Sequence, residues 1–99
     1  MHIISRKTLK KFYKQPDYRD AEGPLTAWFY EAKKANWETP ADVKALYRSA
    51  DILKNNRVVF NIGGNKYRLV VKINYPTKTV FIRFVGTHRE YDRIDAEVI

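Results

Sequence analysis

Ninety-nine residues, 44% of them hydrophobic, are enough for one globular domain with a modest core and argue against a disordered chain. The absence of cysteine excludes a disulfide framework and any zinc site built on thiolates. A formal net charge of +8 favours a polyanionic partner, nucleic acid or an acidic protein, over the ordinary alternative of general solubility.

The opening MHIISRKTLKKF has a two-residue apolar run and then a charged helical pattern, so no secretory leader is expected. No window is long and apolar enough to span a bilayer, and a cytoplasmic protein is the expectation. Residues 2–5 suit a first strand at a sheet edge, with Ser5 as the N-cap of a short helix. Leu9, Phe12 and Tyr13 give that helix one apolar stripe, and Lys7, Lys10, Lys11 and Lys14 give it a basic remainder. QPDYRDAEGP at 15–24 reads as a loop, with Pro24 in the first turn of a second helix that runs to about Ala35. Leu25, Trp28, Phe29 and Ala32 mark its buried side; the spacing does not place Trp37. Thr39-Pro40-Ala41-Asp42 is a helix start, and Val43, Leu46 and Tyr47 are the stripe of a helix over 40–48. Ile52 and Leu53 are expected in the core.

From Arg57 the apolar period changes from 3.6 to 2. Val58, Phe60 and Ile62 face one way; Arg57, Val59 and Asn61 face the other. Gly63-Gly64-Asn65 makes a hairpin loop. Tyr67, Leu69, Val71 and Ile73 are the apolar side of the next strand, against Lys66, Arg68, Val70, Lys72 and Asn74. After a turn at 75–78, Val80, Ile82 and Phe84 are expected on the core side of the last strand, with Phe81, Arg83 and Val85 outside. Helices then cover one side of the sheet and leave the other open. Residues 57–91 hold seven Lys or Arg and one acid, a net +6, so the open side is basic beyond the polarity any antiparallel sheet shows.

Gly86-Thr87-His88-Arg89-Glu90-Tyr91-Asp92 follows the last strand. One helical turn there can put His88 and Tyr91 on the same side. With Arg68 and Lys66 nearby, they form a set able to cleave RNA: a base for the 2′-OH, cations for the phosphorane, and an acid for the leaving 5′-oxygen. A single His at a strand end also serves purely structural roles, so the residues alone leave catalysis open. His2 and His88 lack a metal-binding spacing, GGNK lacks that of a nucleotide cradle, and Ser5 and Ser49 have no evident His or Asp partners.

VVFNIGGNKYRLVVKINY, followed by VFIRFVGTHREYD, closely resembles the HigB toxins of bacterial toxin–antitoxin pairs, within the wider RelE-like superfamily. TPADVK and the opening HIIS match as well. The resemblance implies an α+β RelE-like sandwich: a mainly antiparallel sheet of about four strands, the short N-terminal one and a three-strand meander, with helices on one face. It implies a ribosome-dependent mRNA endonuclease, needing no metal or other cofactor, that cuts codons in the A site. A HigA-type helix-turn-helix antitoxin would neutralise it, and DNA would be met only through that antitoxin. In Tyr67-Arg68-Leu69-Val70 the superfamily arginine contacts the scissile phosphate, which points to Arg68. Many RelE-like toxins have a catalytic Arg after the strand-ending Gly; here His88 stands there, with Tyr91 for the C-terminal Tyr.

The expectation is an mRNA interferase in which Arg68 and Lys66 stabilise the phosphate and His88 is general acid or base. Tyr91 assists, and Asn61, Arg83, Lys72 and Arg57 hold the RNA. The lysine-rich first helix is expected to touch ribosomal RNA. A module that blocks translation without cutting, or a basic domain for an acidic protein partner, are the competing readings.

Overall fold

The computed structural model describes residues 1–99. Its elements are β1 (His2–Ile4), α1 (Arg6–Tyr13), a 3₁₀ helix (Pro16–Ala21), α2 (Glu22–Lys34), α3 (Pro40–Leu46), β2 (Asp51–Ile52), β3 (Arg57–Ile62), β4 (Tyr67–Asn74), β5 (Thr79–Thr87) and α4 (His88–Tyr91). They build an α+β fold around a five-stranded mixed sheet in the order β1-β5-β4-β3-β2. No helix is long and apolar enough to cross a membrane.

The sheet has one strand more than expected. β2 is only two residues long, too short for alternation to reveal it, and pairs antiparallel with β3. Ile52 is therefore 40% exposed on an edge strand rather than tucked into the core, and Leu46, at the end of α3, is 49% exposed. β1 forms the opposite edge and runs parallel to β5. Residues 16–21, expected as loop, form the 3₁₀ helix and seat Ala21 in the core.

One side of the sheet carries the main core. Leu9 and Phe12 of α1 and Leu25, Trp28, Phe29 and Ala32 of α2 pack with Val58, Phe60, Ile62, Tyr67, Leu69, Val71 and Ile73. Trp37 belongs here too, its ring stacked on Phe60 at 6.2 Å. α3 starts as its sequence dictates: the Asp42 carboxylate accepts from the backbone N–H groups of Glu38 and Thr39, which the helix itself leaves unpaired.

β3 and β4 keep a strict alternation, but β5 does not. Val71 pairs with Ile82 and Val70 with Phe84, so Arg83 is an extra residue in β5, a β-bulge. Beyond it the facing of the strand inverts: Phe84 joins the outer side and Val85 packs against the core. This reverses the expected placement of both residues, because one inserted residue shifts a period of two by half a cycle.

The outer side is not wholly open. Residues after α4 fold back over it: Ala96 is buried on Val59 and Val70, with Ile94, Ile99, Phe84 and Tyr91 around it. Asn55 Nδ2 donates to the Glu97 carbonyl and Arg57 Nε to that of Ile99, both at 3.1 Å. The residues after α4 thus form a strap with a small second core beneath it.

The β3–β4 loop needs both its glycines in the left-handed region, with φ of 60° at Gly63 and 70° at Gly64. A Cβ at Gly63 would meet Tyr67 only at 3.7 Å, so its cost is conformational rather than steric. Gly63→Ala is expected to destabilise the fold by about 1 kcal/mol in urea unfolding.

Candidate RNA-facing site

Strand register arranges the outer side in rows. The row nearest the β3–β4 loop is Asn61–Arg68–Gly86, direct cross-strand partners on β3, β4 and β5. The next is Asp51–Val59–Val70–Phe84, beneath the strap, followed by Arg57–Lys72–Phe81. The sequence-expected residues therefore separate into two groups on one surface, with the strap between them.

Arg68 is half-buried at the centre of the first row. Its Nη1 donates to the carbonyls of Asn65 at 3.0 Å and Tyr67 at 3.2 Å, which fixes one corner of the guanidinium. Asn61 beside it donates through Nδ2 to the Ser49 carbonyl at 3.3 Å and keeps its own side-chain carbonyl for another partner. On the other flank only glycine fits. A Cβ at Gly86 would stand 2.6 Å from Phe84 Cζ and 3.0 Å from Glu90 Oε1.

That glutamate builds the next element. Glu90 Oε1 accepts from the Thr87 N–H at 2.8 Å, and Thr87 Oγ1 accepts from the Glu90 N–H at 3.1 Å. This reciprocal capping box sets α4 immediately after Gly86. The His88 N–H then donates to the Lys66 carbonyl at 3.3 Å, tying α4 to the start of β4. His88 Nδ1 lies 3.3 Å from Asp92 Oδ2, four residues on. Both side chains are more than half exposed, so this is an i, i+4 pair on the solvent side of α4.

Tyr91 leans against the strap cluster. Burial, and then the negative charge of Asp51, push its phenol above the ordinary value; Arg68 pulls the other way. The group stays protonated at neutral pH and is a hydrogen-bond donor rather than a base.

Lys66 lies elsewhere. Its ammonium is ion-paired with Asp20 of the 3₁₀ helix, and the same carboxylate accepts from the Tyr67 hydroxyl. The side chain is therefore not gathered with Arg68; only the Lys66 carbonyl takes part, through His88. Hydrogen bonds from Lys66 and Tyr67 hold the Asp20 carboxyl below its ordinary value. A carboxyl with a depressed folded pKa contributes stability above the unfolded pKa, near 3.8, and that contribution is lost as pH falls through the folded value. Asp20→Asn is accordingly expected to lower the thermal midpoint at neutral pH, and the gap from wild type should close in acid.

The second group comprises Lys72, Arg83 and Arg57. Arg83, lifted out by the bulge, places its guanidinium 5.5 Å from the Phe81 ring centre. Arg57 is turned to the strap. The residues contain no cluster of three or more His, Cys, Asp or Glu able to hold a metal ion. A shallow concavity of about 220 Å³, lined by Tyr13, Lys14, Arg19 and Glu22, lies on the helical layer.

Sequence reasoning missed Asp92 and the strap. The i, i+4 spacing of His88 and Asp92 is a signal that could have found the first.

Comparison with known proteins agrees with this architecture. Residues 21–94 match the family described as HigB toxin, RelE-like toxic component of a toxin-antitoxin system. The mRNA interferase toxin HigB of Escherichia coli strain K12 is 34% identical over 94 residues, covering 93% of this chain and 88% of that protein. The mRNA interferase HigB of Shigella flexneri shows the same identity and coverage. That of Escherichia coli O6:H1 is 27% identical over 96 residues, covering 95% and 91%.

Proposed function

The chain belongs to the HigB family of RelE-like toxins, and on that premise we propose that it is an mRNA interferase whose reaction centre is the Asn61–Arg68–Gly86 row with the adjoining α4. The observation that carries this is that Arg68, its guanidinium fixed at one corner, pairs in register with the Gly86 that directly precedes α4 and its His88–Asp92 pair, at one end of the basic sheet face.

The chemistry is a transesterification. The 2′-oxygen attacks the adjacent phosphorus while a base takes its proton. The bond to the 5′-oxygen breaks as that oxygen receives a proton from an acid. The products are a 2′,3′-cyclic phosphate and a 5′-OH. His88 is one of the two proton-transfer groups, base or acid, with the Asp92 carboxylate 3.3 Å from its Nδ1 to orient the ring. Arg68 offers its free N–H edges to the non-bridging oxygens as their charge grows. Tyr91 donates a hydrogen bond, and Asn61 orients the RNA. Lys66 acts on phosphate only if it exchanges Asp20 for the substrate. No step calls for a metal ion.

An open face suits a substrate held by something larger. The proposal therefore includes cleavage on the ribosome in the cytoplasm, with the exposed lysines of α1 against ribosomal RNA. The partner in a toxin–antitoxin system would be a HigA-type helix-turn-helix protein, through which alone DNA is met. An mRNA incubated with the protein, with and without translating ribosomes, tests this by primer extension. Discrete cuts that need ribosomes are expected. Translational arrest with intact mRNA would instead identify a non-cutting blocker.

A further inference from the structure

We propose that Phe81 and Arg83, with Lys72, form a second single-stranded RNA subsite, a base-stacking platform separate from the row that carries Arg68. The inference rests on reading the outer sheet face as the RNA side. Phe81 is half-exposed in a row that runs Ile4–Phe81–Lys72–Arg57 from β1 to β3. The next row is His2–Thr79–Asn74. Neither row contains a carboxylate. Ile4 is 40% exposed beside Phe81, so the patch offers an apolar floor with cations around it.

The bulge gives this patch its form. In a regular β5, the residue after Ile82 would have remained in the ladder on the outer side. Instead Arg83 is extruded as the unpaired residue and its guanidinium approaches the Phe81 ring. An aromatic face with an arginine beside it is the combination that stacks a base and meets its phosphate, whatever the base. The site lies on the same sheet face as the reaction centre. Lys72 lies four residues along β4 from Arg68, roughly 13 Å at about 3.3 Å per residue. Between them the strap covers Val59 and Val70, packs against Phe84, and is bonded to Asn55 and Arg57. Single-stranded RNA fits both the sign of the charge and the aromatic floor.

The test uses a fluorescein-labelled 12-nucleotide single-stranded RNA and the full chain in an Arg68→Ala background, which prevents cutting. Phe81→Leu keeps the apolar volume and removes the ring; it is expected to weaken binding roughly tenfold. Arg83→Gln is exposed and keeps the test informative if Phe81→Leu unfolds; it should reduce the slope of log K against log salt by roughly 0.7. No binding by the parent, or unchanged affinity and slope in both variants, would overturn the proposal. Unchanged RNA binding with weakened binding of the cognate antitoxin would overturn it in favour of a protein-docking patch. Ribosome-dependent cleavage by wild type is scored separately. Cuts with unaffected variants sink the subsite alone, whereas a ring-dependent complex without cuts sinks the interferase reading alone.

Discussion

Arg68→Ala is expected to reduce mRNA cleavage by about 10²–10³-fold while leaving the fold intact. The loss is large because phosphoryl chemistry at an RNA linkage adds negative charge to the non-bridging oxygens as the phosphorane forms. A preorganised cation is worth most at that point. Arg68 is preorganised: the Asn65 and Tyr67 carbonyls hold Nη1, and Asn61 and Gly86 flank it in register. The fold survives because the side chain lies outside both hydrophobic clusters. Arg68→Lys should recover only part of the rate, since a point charge cannot reproduce the planar fork. Single-turnover cleavage on ribosomes, beside a thermal melt of each variant, measures both halves of this expectation.

His88→Ala should cost about 10²–10⁴-fold in the same assay, the usual contribution of a positioned proton-transfer group. The imidazole is more than half exposed, and α4 is held by Thr87 and Glu90 rather than by the ring. Little change in stability is therefore expected. Asp92→Asn should give a smaller loss, because the imidazole remains and only its orientation is relaxed. A His88→Ala enzyme with wild-type rates would leave Arg68 as an RNA-binding group without an acid–base partner.

Much of this arrangement is legible in the sequence. The alternation in β3 and β4 separates Val58, Phe60 and Leu69 from Asn61, Arg68 and Lys72, and the observed facing is the same. The helical stripes at Leu9–Phe12 and Leu25–Ala32 likewise mark the buried sides. What is hidden has physical reasons. The bulge at Arg83 changes no composition, yet it exchanges Phe84 and Val85 between the two sides. The strap alternates Ile94, Ala96 and Val98 with acids, yet it forms no strand and Val98 stays exposed; only the non-local contact of Ala96 with Val59 and Val70 buries it. The pairing of Lys66 with Asp20 spans 46 residues, and no local pattern encodes it. It moves one expected catalytic side chain away from the row that carries Arg68. The strap has a comparable effect on Arg57, which alternation places outside and which a backbone carbonyl then engages.

Transesterification at the Arg68 row and α4 leaves its signature on the ends of the RNA. The most direct measurement is the end chemistry of mRNA fragments made on translating ribosomes by wild type and by Arg68→Ala in parallel. Wild type is expected to give fragments with a 5′-OH, ligatable only after kinase treatment, and a 2′,3′-cyclic phosphate, with few or none from Arg68→Ala. Fragments carrying 5′-phosphates, or equal cleavage by Arg68→Ala, would contradict this chemistry.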